Sequence, residues 1–117
     1  MKPFVYNFSI PQGTSFVLPV VWKDKTTNAP VNLTGYAAKL QVKKDFTGSA
    51  VITLTDGAEA DGIVIINDEG RITFYFSDEV TAPLSGAYKY DVLLTIGEDR
   101  KRFMQGVINF APRVTEP

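Results

Sequence analysis

From Tyr36 to Lys43 the side chains alternate without a break: Tyr36, Ala38, Leu40 and Val42 fall on one side, and Lys39, Gln41 and Lys43 on the other. Successive side chains leave opposite faces of an extended chain, so a period of two marks a β-strand with one face buried and one wet. Immediately before it, in Asn32-Leu33-Thr34-Gly35, the glycine supplies a bend that a residue with a side chain enters only with difficulty. No catalytic chemistry is written in this stretch. It specifies a strand and its entry turn.

The same period recurs along the chain. Phe4, Tyr6, Phe8 and Ile10 alternate with Val5, Asn7 and Ser9 until Pro11-Gln12-Gly13 breaks the pattern. Phe16, Leu18, Val20 and Trp22 repeat it, with Pro19 in the opposite register. A residue lacking an N–H is tolerated there if the strand is an edge or carries a bulge. Residues 51–55 are short and β-branched, and Ile63-Val64-Ile65-Ile66 leads through Asn67-Asp68-Glu69-Gly70 into residues 71–76, which predicts an antiparallel hairpin. Ser77 to Ala82 opens like a helix with an acidic first turn, and Pro83 and Gly86 limit it to one short turn. Tyr88, Tyr90, Val92, Leu94 and Ile96 define a long strand that Gly97-Glu98-Asp99 turns back into residues 102–110. About eight short strands at spacings of roughly ten residues, punctuated by Gly, Pro and Asp, indicate an all-β sandwich or barrel. The expectation adopted is an antiparallel, immunoglobulin-like β-sandwich. Its 117 residues suit one domain, read as 1–112 with a loose tail at 113–117.

Composition narrows function by exclusion. The chain has neither histidine nor cysteine. That removes the commonest general base and metal ligand, together with thiol nucleophiles, disulfides and Cys-type zinc sites. Lys plus Arg number 12 against 13 Asp plus Glu, so no global field favours nucleic acid or an anionic membrane. No run of about 18 apolar residues occurs, and the first residues read as a mature start rather than a signal peptide. The expectation is a non-enzyme with no catalytic residues, no cofactor and no metal.

Several constellations have a chemical and a plain reading. Asp56, Glu59 and Asp61, with Asp68 and Glu69 beyond them, would offer oxygen ligands to calcium, but they lack the order of a dedicated calcium loop and are better read as turn formers. A hydrolase built on carboxylates alone would draw on Asp56, Asp61 or Asp91, yet Asp91 lies on the polar side of its strand, where a cross-strand cation such as Lys39 accounts for it. Trp22, Tyr36, Tyr88 and Tyr90 fall in core-facing registers, which makes packing rather than sugar stacking their role. Tyr75 is the exception. It shares an outward face with Arg71 and Thr73, which makes Tyr75 and Arg71 candidate protein contacts. Phe4, Tyr6 and Phe8 are further candidates, because an N-terminal alternating strand can add to the sheet edge of another subunit. Pairing within its own sheet is the open alternative. Arg100-Lys101-Arg102 is too short for a nucleic-acid stripe.

Four segments together carry a resemblance. Gly13 through Trp22-Lys23-Asp24, Asn32-Leu33-Thr34-Gly35-Tyr36 with Ala38-x-Leu40-Gln41-Val42, Gly70-Arg71-Ile72-Thr73, and Gly86-x-Tyr88-x-Tyr90-Asp91-Val92 resemble small virion proteins of tailed bacteriophages and prophages. That group includes the N-terminal domain of baseplate upper proteins and related tail-associated β-sandwich modules. The likeness spans roughly residues 13–110 and lies in turn and strand signatures, not in chemistry. It implies a structural building block located in the virion, at the tail, baseplate or head-to-tail region. Its implied partners are other virion proteins and further copies of itself in a symmetric assembly. A carbohydrate-binding module contacting cell-surface glycan through Tyr75 is the alternative from another class.

Overall fold

The alternating runs form strands in the computed structural model, which describes residues 4–24, 26–45, 48–56 and 62–112. In order these are β1 (Phe4–Val5), β2 (Phe8–Pro11), β3 (Phe16–Val21), β4 (Ala37–Lys43), β5 (Ala50–Asp56), β6 (Gly62–Ile66), β7 (Arg71–Phe76), β8 (Gly86–Ile96) and β9 (Asp99–Ala111). The expected tail at 113–117 lies outside the described residues. The expected helical turn is α1 (Asp78–Thr81), capped by the Ser77 hydroxyl accepting from the Val80 N–H. A second, unexpected turn of 3-10 helix, Asn67–Glu69, sits inside the β6-β7 hairpin. The buried Thr81 hydroxyl ties α1 to the β2-β3 loop by donating to the Thr14 carbonyl at 2.9 Å.

The protein is all-β, with a single mixed sheet in the order β1-β9-β8-β4-β5-β6-β7-β3, and β2 also pairing with β9. It curls nearly into a barrel. Two bulges help the curl, since an extra residue on one strand bends it and increases its twist. Val51 is the extra residue opposite Val42 and Lys43, and Phe103 is the extra residue opposite Val92 and Leu93. At the second bulge the alternation breaks, so the consecutive residues Phe103 and Met104 both point into the core. The two ends of the strand order come together across that core: Phe8 stacks on Phe16 at 5.6 Å and Trp22 tilts against Phe103 at 5.3 Å. Between them lie Leu40, Val42, Leu54, Ile72, Phe74, Phe76, Leu94 and Phe110, all buried.

The sheet is not purely antiparallel as expected. β1 and β2 run parallel to β9, and β5 meets β6 in parallel over only two pairs, Thr55 with Gly62 and Asp56 with Ile63. A period of two identifies a strand and its faces but carries no information on its direction. The hairpin of β6 and β7 and the long pairing of β8 with β9 are antiparallel, as expected.

The N-terminal run, expected as one strand, is broken at Tyr6 and Asn7 because it crosses β9 at Gly106. A Cβ on Gly106 would collide with the Tyr6 carbonyl oxygen and lie 2.7 Å from Asn7 Oδ1. Across the break the backbone groups stay satisfied: Tyr6 N–H donates to Gln105 O and Val107 N–H donates to Asn7 Oδ1, each at 2.9 Å. The methyl of Gly106→Ala would push backbone against backbone, where little can yield. We expect that substitution to cost about 2–3 kcal/mol in urea unfolding, at the upper end of overpacking effects. An unchanged midpoint would contradict this close crossing.

Candidate functional site

β3 ends the strand order, and its register against β7, with that of β6, sets out an outward face in three rows. Val17, Tyr75 and Gly62 form the first, Pro19, Thr73 and Val64 the second, and Val21, Arg71 and Ile66 the third. Their alternation partners Phe16, Leu18, Val20, Ile63, Ile65, Ile72, Phe74 and Phe76 belong to the core side. Of the nine outward positions only Arg71 is charged, and its guanidinium is already engaged by Glu69 at 3.2 Å. Val17 is 52% and Val21 43% exposed, so these are open valines on a sheet surface rather than an extension of the core. Thr73 is nearly covered between Pro19 and Val64, and Gly62 is buried opposite Tyr75.

The free edge of β3 is blunted. Trp22 N–H donates to Gly70 O across to β7 at 2.8 Å, and alternate residues of an antiparallel strand share a direction. The N–H positions of Val17, Pro19 and Val21 therefore face away from β7, and proline has none to offer. This removes the central donor from the edge, a recognised protection against strand addition. Beside that edge a groove of about 480 Å³ runs between β1 and β3, with Val5, Tyr6, Pro19 and Val20 along it and the buried Leu18 and Met104 at its base.

The opposite outer face, on β5, β4, β8 and β9, has a different character. Lys39, Lys43, Lys89, Arg100 and Arg102 share it with Gln41, Thr53, Asp91 and Gln105. Asp91 has a cross-strand cation partner, as expected, in Arg102 at 3.6 Å; Lys39, the example offered by the sequence, lies opposite Leu93. A shallow cleft of about 290 Å³ there is lined by Gln41, Lys43, Asp45, Lys89, Asp91 and Arg102.

The sequence candidates separate into two groups. Arg71 and Tyr75 share the apolar face, two rows apart. Of the two alternatives for Phe4 to Ile10, the structure takes pairing within the chain, through β1 and β2 on β9. Tyr6 remains exposed beside the groove, whereas Phe8 turns inward, stacked on Phe16 and edge-on to Tyr90. That inward packing corrects the expectation of Phe8 as a partner contact. Phe4 opens β1 opposite Met104, and its side chain lies outside what the structure describes. Of the acids, Asp56 accepts from the Ala38 N–H at 3.3 Å, Asp68 and Glu69 sit exposed in the hairpin turn, and Glu59 and Asp61 lie outside the described residues. Among the described residues no three Asp or Glu side chains gather as metal ligands would, and no helix is long and apolar enough to cross a membrane. Sequence reasoning missed Val17, Pro19, Val21, Val64 and Ile66. The available signal was that both registers of β3 are apolar, although a strand at a sheet edge needs only one.

No protein-family model matches the chain, and no curated protein matches it.

Tyr90 secures the N-terminal strands beneath this region, its hydroxyl donating to the Tyr6 carbonyl at 2.5 Å. Burial, and secondarily the nearby Tyr6 phenol, push its ionisation well above the usual tyrosine range. In the unfolded chain Tyr90 loses its proton near pH 10, while in the folded chain it keeps it, so stability falls as pH rises above that value. We expect Tyr90→Phe to cost about 1 kcal/mol at neutral pH, with the wild type losing this advantage above about pH 10. Paired urea titrations at neutral and alkaline pH measure it. A difference between the two proteins that does not vary with pH would contradict the buried, hydrogen-bonded phenol.

Proposed function

We propose that this chain is a non-enzymatic structural module that works by docking the outer face of β3, β7 and β6 onto another protein. The observation that carries this reading is that face itself: nine neighbouring positions with one charge, already paired within the chain. Depletion of charge around an aromatic side chain is the compositional signal of an interface core, and the largest apolar patch of a monomer, about 300–600 Å², is often functional. Together with the resemblance of the turn and strand signatures to tailed-phage modules, this face supports placement in a virion, at the tail, baseplate or head-to-tail region. We also read the curled sheet as two packed layers of immunoglobulin-like type, β3-β7-β6 against β5-β4-β8-β9 with β1 and β2. Among the described residues the strand pairing between the halves is the two-pair parallel contact of β5 with β6. The glycan-binding alternative has less support. Tyr75 offers one half-buried ring, and its row neighbours Val17 and Gly62 have no polar group to bind sugar hydroxyls.

Purified particles from the source of the sequence provide the test, by mass spectrometry and cryo-imaging. The expected result is this protein in a symmetric substructure, with the folded double variant Val17→Lys/Val21→Lys reduced at least tenfold in incorporation. Particles lacking the protein would overturn the reading.

A further inference from the structure

The docking reading above leaves the partner open, and this inference rests on it: we infer that the outer face of β3, β7 and β6 pairs with the same face of a second copy of this chain. Charge selects the partner. Covering a face whose one charge, Arg71, is already paired with Glu69 by a surface rich in ions would strip those ions of water and return little counter-charge. The chain's other outer face carries Lys39, Lys43, Lys89, Arg100 and Arg102 against Asp91, so head-to-tail stacking of one face on the other is disfavoured. Among the two faces described, only the apolar one suits itself. The contact is then isologous and closes as a two-fold pair rather than growing into a filament.

Register selects the orientation. Sheets packed face to face align their strands within about 30°, which leaves two arrangements with β7 central. A two-fold axis along the strands would set Arg71 against Arg71 of the second copy, like charge on like. An axis across the strands reverses the rows and keeps Thr73 opposite its own counterpart. Arg71 then lies over the ring of Tyr75 in the second copy, a favourable cation-π placement. Val21 meets Val17, so the two exposed valines of the face cover each other.

Size sets the strength. Three strands about 4.8 Å apart and three rows about 6.8 Å apart present about 300 Å² in projection, against about 800 Å² on each side of a standard interface. The pair is therefore weak in dilute solution. It fills where an assembly holds copies at an effective concentration in the millimolar range.

Heteronuclear NMR of the full chain between about 20 μM and about 2 mM brackets that range, with sedimentation equilibrium on the same samples. The expected result is concentration-dependent shifts at Val17, Val64, Thr73 and Tyr75 and an average mass rising towards a dimer. Arg71→Gln should weaken association severalfold, and Val17→Lys/Val21→Lys should abolish it with the spectrum still dispersed. Shifts that do not change with concentration, or that map to the Lys43 and Lys89 face, would overturn the second copy as partner. If particle incorporation of the lysine variant is still lost in that case, docking stands with a different partner. Normal incorporation of that variant would instead remove docking itself, and this inference with it.

Discussion

β9 is the strand on which the rest of the structure depends, because its hydrogen-bonding groups must be satisfied on two sides. β8 takes one side along almost the whole length, and β1 and β2 take the other as two short parallel pieces. The pieces cannot be continuous, since the chain crosses β9 so closely at Gly106 that no side chain fits beneath Tyr6 and Asn7. Asn7 and Tyr90 supply, from side chains, bonds that hold the crossing. With the N-terminal run placed there, Phe8 reaches across to Phe16 and brings β3 over the far side of the core.

That placement bears on how the protein can meet others. Among the described residues the edges at the ends of the strand order are β1, two residues long, β2, four residues long, and β3, whose outward donors are interrupted by Pro19, and a further edge runs along β5 from Ala50 to Leu54, where β6 has already diverged. Short or interrupted edges are poor templates for an added strand. The sheet faces are the broader surfaces, and the two outer faces differ in kind. Cations gather over β4, β8 and β9, while β3, β7 and β6 turn valine, proline, isoleucine and tyrosine to the outside. A near-neutral total charge conceals this division.

Much of the fold is legible in the sequence because alternation reports faces directly. The strands from Tyr36 to Lys43, from Tyr88 to Ile96 and the hairpin at Asn67 to Gly70 are where the pattern places them, and Ser77 caps the short helix. Strand direction is not written in a period of two, which is why the parallel pairing of β1 and β2 was not foreseen. Nor are the bulges at Val51 and Phe103, each of which shifts the register by one residue. The candidate face was half legible. Arg71 and Tyr75 follow from the alternation of β7, but their neighbours Val17, Pro19 and Val21 come from a strand some fifty residues earlier, joined to β7 only by the fold. Phe8 shares its register with the buried Ile10, opposite the polar Asn7 and Ser9, so its inward side was legible, whereas the pairing of this run with β9 of its own chain was not.

Hydrogen-deuterium exchange of the protein in the virion particle proposed for it, compared with the free protein, tests the central claim that the β3-β7-β6 face is the docking surface. The expected result is added protection concentrated in residues 16–21, 62–66 and 71–76. Protection concentrated instead in β4 and β8, or no difference between the two states, would contradict it.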